Sequence, residues 1–300
     1  PAILAASLLA FNKDPNAILL VAPTDHIIAD VESFHLAISR GLEQVALGKM
    51  VTFGISPTYP ETGYGYIELP EKDFDQSAAS IVSRFIEKPE LANAKLMSEA
   101  SNYLWNSGIF LFQAADMLSA FYDFAPILLE LTKASLENAK EDLGFLRLDA
   151  ESWKQLDNIS LDYAIMEKAK NLVAIPYNSK WSDLGDWNAI WSESDRDTFG
   201  NVQSNNAHAI ECSDTLLRSE STGQELIGLG LDKIVAISMP DAVLVAHKDK
   251  AQDVKQVVDY LREKEVPQAT RYPKDHRPWG WFESLLLDQN FQVKRIFVKP

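Results

Sequence analysis

The sequence predicts an α/β fold with helices on both faces of a sheet, followed by a smaller, mostly β unit; three observations carry this. Short, wholly apolar runs stop at turn residues: "AILLVA" (17–22) ends at "PTDH", and "VTFGIS" (51–56) follows a "GK" stop. They read as strands buried on both faces. Between them, 31–47 carries Phe34, Ile38, Leu42 and Val45 at three- and four-residue spacing, the mark of an amphipathic helix. Strand, helix and strand in that order imply a right-handed parallel crossover. From about Gly200 the texture changes to short β-rich pieces separated by turns.

The elements follow in order. "PAILAASLLAF" reads as an Ala-rich buried helix, since it lacks the basic flank of a signal peptide. "TYPETGYGYIEL" (58–69) is too rich in glycine and proline to be regular before its end, so it is a loop entering a strand. "IVSRFIEKP" (81–89) is a strand ending at a proline turn, "ELANAKLMSEA" a helix, and "NSGIFLF" (106–112) a buried strand. Two helices occupy 114–139, another 161–169, and "NLVAIPY" (171–177) is a strand. The later unit holds "AHAIE", "TLLRS", "KIVAIS" and "AVLVAH", then a helix over 251–265. This divides the chain into 1–199, 200–266 and 267–300, the last a polar linker and strands of a further module. Beginning on proline and ending on "FVKP", the sequence reads as a piece of a longer protein.

Composition excludes several functions. At 46% apolar the 300 residues can bury a sizeable core. A formal net charge of −15 opposes encounter with nucleic acid or an anionic membrane, so an anionic ligand must be met by local cations or a metal. No apolar run reaches the ~20 residues that span a bilayer. The single cysteine, Cys212, rules out an internal disulfide, as expected for a reducing, cytoplasmic setting. The five histidines show no metal-binding spacing and default to structural roles, and no nucleophile motif points to covalent catalysis.

The remaining chemistry lies at strand ends, where open α/β sheets gather ligands. Asp25 falls just past one predicted strand and Asp183, within "KWSDLGDW", a few residues past another. Two such carboxylates can share one Mg²⁺ that takes its other ligands from phosphates and water. An Asp after a strand also serves as a solvated cap, and spacing leaves both roles open. Gly63 and Gly65 in "ETGYGYI" let the backbone approach a ligand with Tyr64 as a wall, or simply make a tight turn. Glu87 and Lys88 end a strand, either as sugar-hydroxyl acceptor and phosphate cation or as an exposed ion pair. Asn106 follows Trp105 in "NSG", able to bond hydroxyls and equally good turn chemistry.

Taken in order, "VAPTDHII", "FGISPTYPETGYGYIE", "RFIEKPELANAK", "NYLWNSGIFLF", "LDYAIMEKAKNLVAIP" and "WSDLGDW" resemble the bacterial mannose-1-phosphate guanylyltransferases, or GDP-mannose pyrophosphorylases. The resemblance covers essentially the whole chain. The fold it implies is a Rossmann-like nucleotidyltransferase mixed sheet with helices on both faces, then a small left-handed β-helix-like domain that packs or joins copies into a homo-oligomer. The activity it implies is transfer of GMP from GTP to mannose 1-phosphate, releasing pyrophosphate. Carried over by motif, Asp25 and Asp183 hold Mg²⁺ and act with Lys88, which contacts the sugar's phosphate. Glu87, Asn106 and the Gly65 backbone hold the mannose, Glu61, Gly63 and Tyr64 shape that loop, and Trp181 and Trp187 fix the turn presenting Asp183.

Two departures qualify that picture. The family's G-x-G-T-R signature strand and loop, which cradle the nucleotide phosphates, have no counterpart here, so these residues alone are expected to bind GTP poorly. At the other end, "RPWGWFESL" and "FQVKRIFVKP" resemble the entry to the cupin module of bifunctional mannose-6-phosphate isomerases, without its histidine motif. The rival readings are a nucleotidyltransferase for another sugar 1-phosphate, such as glucose, and a non-catalytic sugar-nucleotide sensor, which need not keep both metal-binding acids.

Overall fold

The computed structural model describes residues 1–70, 78–221, 223–272, 274–277, 279–287 and 290–299. It forms two compact units, Pro1–Asp183 and Leu184–Pro300. No helix among the described residues is long and apolar enough to cross a membrane.

In chain order the first unit holds α1 (Ala2–Lys13), β1 (Ile18–Val21), β2 (Ile27–Ile28), α2 (Val31–Val45), β3 (Met50–Ile55), β4 (Tyr66–Glu68), β5 (Ser80–Ile81) and β6 (Arg84–Ile86). There follow α3 (Leu91–Glu99), β7 (Tyr103–Gln113), α4 (Ala114–Phe124), α5 (Pro126–Glu137), a hairpin of β8 (Lys140–Asp142) and β9 (Phe145–Arg147), and α6 (Ala150–Trp153). A π-helical turn (Asp162–Met166) precedes β10 (Leu172–Pro176) and β11 (Trp181–Ser182). The helix expected over 161–169 is therefore this widened turn. The hairpin and α6 carry no signal that sequence reading used.

Seven strands make one mixed sheet in the order β5-β10-β3-β7-β4-β6, with β1 also on β7. Strict alternation sorts its side chains. Met50, Leu172 and Ala174 join a core with Leu4 and Leu8 of α1, Met117 and Phe121 of α4, and Leu128 of α5. Val51, Phe53, Ile55, Val173 and Ile175 join the opposite core with Ala37 and Val45 of α2 and Ala94 and Met97 of α3. Both faces are covered by helices, as the apolar runs predict.

The expected crossover is present but interrupted. β1 and β3 are each antiparallel to β7, so they are parallel to one another with β7 between them. β10 lies parallel on β3, so β1, β3 and β10 all point their carboxyl ends the same way. The expectation that β1 is buried on both faces is corrected: Ile18 is 48% and Leu20 44% exposed. Leu19 and Val21 pack against the first core, while Ile18 and Leu20 on the opposite face of β1 stay part-exposed.

The second unit begins with α7 (Trp187–Glu193), whose Trp187, Ile190 and Trp191 pack on Val202, Leu216, Val235 and Ile237. That packing draws the compact unit's start ahead of the change in composition at Gly200. The strands are β12 (Val202–Gln203), β13 (Ala207–Ile210), β14 (Leu216–Ser219), β15 (Leu226–Leu229), β16 (Ile234–Ser238) and β17 (Val243–His247). β12, β14 and β16 stack in parallel, as do β13 and β15, so the chain winds back beneath itself as a coil. β17 closes the larger sheet antiparallel. A 3₁₀ turn (Lys248–Asp253) leads into α8 (Val254–Glu263), so the helix expected over 251–265 starts later. The tail, expected to hold strands, is an antiparallel set of β18 (Lys274–Arg277), β19 (Gly280–Leu287) and β20 (Gln292–Val298); residues 273, 278, 288–289 and 300 of it lie outside the described residues.

Candidate active site

The site is placed by a split in the sheet. On one edge of β7, β3 pairs along much of its length. On the other edge, β1 arrives from one end, pairing Val21 with Phe110, and β4 from the other, pairing Tyr66 with Trp105. Between them residues 107–109 of β7 have no strand paired along that edge, and the loops leaving β1 and entering β4 flank the gap. A Cβ on Gly108, whose φ is +71°, would lie 3.8 Å from both His26 Cε1 and Pro23 Cγ, so the turn after β1 closes over this stretch.

The first of these flanks carries Asp25 and Asp183. β2 and β11 form an antiparallel ribbon that pairs Ile28 with Trp181 and Ile27 with Ser182. Continuing that register by one step sets Asp183 opposite His26, the neighbour of Asp25. Electrostatics agree: burial lowers the His26 pKa, and the charges of Asp183 and Asp25 both act to raise it. The structure thus brings the two acids around one imidazole, although they are far apart in sequence. His26 stands edge-on to Trp181 at 5.3 Å, and its buried Nδ1 has no hydrogen-bond partner. Tyr64 stands edge-on to Trp181 at 5.4 Å and to Trp105 at 5.3 Å, and its hydroxyl donates to Asp183 Oδ1 at 2.8 Å. Burial and this carboxylate hold the Tyr64 phenol well above its usual pKa, so it remains a donor. Trp181 is thereby part of the aromatic cage around Asp183, whereas Trp187 packs in the core of the other unit.

The glycine loop is held from within. Glu61, 7% exposed, accepts the Gly63 N–H at 2.7 Å, and the Tyr66 hydroxyl donates to the Glu61 carbonyl at 3.0 Å. Beyond it the sheet register runs Ile55, Trp105, Tyr66, Ile86 across four strands. The next row is Gly54, Asn106, Gly65 and Glu87: Asn106 N–H donates to the Gly65 carbonyl at 2.8 Å. A Cβ on Gly65 would meet Glu87 Oε2 at 2.6 Å, so glycine is required for that carboxylate to lie against the strand. Lys88 donates its N–H to the Tyr64 carbonyl at 3.2 Å and adopts φ +46°, a left-handed backbone that is costly for a residue with a side chain. Its exposed ammonium lies 3.5 Å from Glu87 Oε1.

The candidate residues therefore fall into two adjoining groups, Asp25 with Asp183 and Glu87 with Lys88 and Asn106, joined through Tyr64 and Gly65. Sequence reading missed three members. Asp162, at the start of the π turn, accepts from Asn106 Nδ2 at 3.2 Å; burial raises its pKa. Burial likewise raises Glu87, with the Asp162 charge adding to it and Lys88 opposing. Thr52, fully buried, donates to Asn106 Oδ1 at 2.7 Å. A threonine inside an otherwise apolar strand is a signal that sequence alone offers. His26, beside Asp25, is the third.

For a metal, the described residues contain no group of three or more His, Cys, Asp or Glu side chains placed to hold one. Two converging carboxylates are instead the donor set of a hard cation that completes its shell with substrate phosphates and water. The residues present fit Mg²⁺ on those terms.

Comparison with known proteins finds two family matches that meet near residue 200. The nucleotidyl transferase family profile matches residues 1–200, and that of the MannoseP isomerase/GMP-like β-helix domain matches 206–261. The xanthan biosynthesis protein XanB of Xanthomonas campestris is 39% identical over all of this chain, which spans 63% of that protein. A mannose-1-phosphate guanylyltransferase of Salmonella montevideo is 38% identical, again over all of this chain and 64% of its own length. The chain thus spans under two thirds of these curated relatives. A solved structure from Thermus thermophilus, described as a mannose-1-phosphate geranyltransferase, superimposes with a TM-score of 0.71 at 31% identity, covering 86% of this chain and 75% of that one.

Proposed function

Because the chain belongs to the nucleotidyl transferase family, we propose that the protein transfers GMP from GTP to mannose 1-phosphate, giving GDP-mannose and pyrophosphate. A phosphate oxygen of the sugar phosphate attacks the α-phosphorus of GTP, forming one P–O bond. The bond to the β-bridging oxygen breaks, and pyrophosphate leaves with that electron pair. The nucleophile is already an anion, so no side chain removes a proton, and catalysis is alignment plus charge compensation. Asp25 and Asp183 would hold Mg²⁺, which would supply positive charge to offset that of the phosphates beside a chain of net charge −15.

The protein's own groups orient the reactants. Lys88 meets the sugar's phosphate at the exposed side of the site, and Glu87 accepts sugar hydroxyls against the Gly65 backbone. Tyr64 donates to Asp183, fixing the carboxylate, while its ring walls the sugar loop. The observation that carries this reading is that 2.8 Å hydrogen bond, which couples the sugar loop to a metal-binding acid 119 residues away. The test is pyrophosphate release by the full-length protein with GTP, Mg²⁺ and mannose 1-phosphate, against glucose 1-phosphate and against ATP. Turnover preferring GTP with mannose 1-phosphate is expected; turnover only with another sugar phosphate, or none, overturns the reading.

A further inference from the structure

The polar row beneath the glycine loop is continued by a carboxylate, Asp162, to which the motif reading assigned no role although it lies within "LDYAIMEKAKNLVAIP". Resting on the mannose 1-phosphate reading above, we propose that Asp162 is a specificity-determining residue that accepts hydrogen bonds from hexose hydroxyls, and that Asn106 serves to position it.

Asn106 is 8% exposed and both ends of its amide are engaged. Thr52 Oγ1 donates to Oδ1 at 2.7 Å, and Nδ2 donates to Asp162 Oδ1 at 3.2 Å. The order matters. Reversing the amide would turn Oδ1 toward the Asp162 carboxylate, acceptor against acceptor, so Thr52 and Asp162 together fix one orientation. Asn106 is thereby a strut between a fully buried strand hydroxyl and an acid, with one of its two N–H donors and one of its two carbonyl lone pairs committed to that task.

Asp162 lies where the backbone is unusual. It opens the π turn Asp162–Met166, a widened geometry that frequently marks functional sites. Ala164, Ile165 and Met166 of that turn are buried in the core with α4 and α5, which anchors it. Asp162 itself is partly buried, and each of Glu87 and Asp162 lies in the field of Lys88. Two buried-side carboxyl groups repel a phosphate and accept neutral hydroxyls, whereas the exposed Lys88 ammonium attracts a phosphate. The arrangement therefore orients a hexose 1-phosphate: hydroxyls toward Glu87 and Asp162, phosphate toward Lys88.

The experiment is steady-state kinetics of the full-length protein and its Asp162→Asn, Asn106→Ala and double variants, varying mannose 1-phosphate and GTP separately. Asp162→Asn is expected to raise KM for mannose 1-phosphate tenfold or more while KM for GTP stays within twofold. Asn106→Ala is expected to raise the same KM several-fold, and the double variant to be no worse than Asp162→Asn alone, since the strut acts only through the acid. A wild-type protein active on mannose 1-phosphate, with that KM unchanged in Asp162→Asn, overturns the proposal and leaves the guanylyltransferase reading standing. A wild-type protein inactive on mannose 1-phosphate sinks both. If Asp162→Asn does not fold, Thr52→Val, which frees the Asn106 amide, is expected to raise the sugar KM about threefold, and an unchanged value there overturns the proposal.

Discussion

Asp25 with Asp183 and Glu87 with Asp162 are both acid pairs at the same split in the sheet, yet they are built differently. The first pair rides on a ribbon of two-residue strands, steadied by Trp181 and Tyr64, with Asp25 exposed to solvent. The second is set deeper: Glu87 lies against Gly65 on a sheet row, Asp162 is strutted by Asn106, and burial raises the pKa of both. A cation can reach the first pair and repay its charge. The second pair is better matched to neutral hydroxyl donors, which satisfy a carboxylate without asking it to shed water for an ion. On the proposed reading, the site separates charge chemistry from sugar recognition by depth.

The sharpest way to break this division is to remove one member of the outer pair. Asp183→Asn in the full-length protein is expected to lower kcat by about a hundredfold or more, the scale of losing a group that stabilises transition-state charge, while circular dichroism reports an unchanged fold. Near-normal turnover would strip Asp183 of its role. Next comes the close approach on the inner side. Gly65→Ala places a Cβ 2.6 Å from Glu87 Oε2, so the carboxylate must shift; KM for mannose 1-phosphate should rise about tenfold with ~1–3 kcal/mol lost in urea unfolding.

A smaller effect is expected where the two groups join. Tyr64→Phe removes the bond to Asp183 and keeps the ring between Trp105 and Trp181. The expected loss in kcat/KM is roughly threefold to tenfold, with little change in Tm; an effect as large as that of Asp183→Asn would mean that the two act as one unit.

The smallest concerns stability. A carboxyl whose folded pKa is raised binds its proton more tightly in the folded state, so its contribution is fully present below the ordinary carboxylate pKa and is lost as pH rises through the raised value. Asp162→Asn removes that loss. Its Tm should exceed the wild type's by about 2 °C at pH 8, with the gain fading as pH falls toward 4; a gain that persists at pH 4 would assign it to packing instead.

What sequence could read of this site follows from distance along the chain. Asp25 falls just past an apolar strand and Asp183 a few residues past another, and "ETGYGYI" carries its turn chemistry locally, so residue types and positions single them out as candidates. The helix-on-both-faces architecture was legible for the same reason, because a continuous apolar run, as in 50–55 and 172–176, is a local property. The insertion of β7 between β1 and β3 was not, since strand order depends on pairings nearly a hundred residues apart. Asp162 escaped because a π turn has the same apolar spacing as a short α-helix. The bonds from Thr52 and to Asp162 that hold both ends of the Asn106 amide join residues more than fifty positions apart, so they too leave no local trace. His26 lay in plain view beside Asp25, but only the β2–β11 ribbon reveals that it faces the second acid.

The claim on which the division rests is that Asp25 and Asp183 serve one divalent cation while Asp162 does not. A Mg²⁺ titration of pyrophosphate release, run on full-length wild type, Asp25→Asn, Asp183→Asn and Asp162→Asn at saturating GTP and mannose 1-phosphate, tests it directly. Half-saturation should move to at least about tenfold higher Mg²⁺ in both outer variants, as loss of a charged ligand requires, and stay at the wild-type value in Asp162→Asn. Wild-type Mg²⁺ dependence in Asp25→Asn and Asp183→Asn would contradict the account.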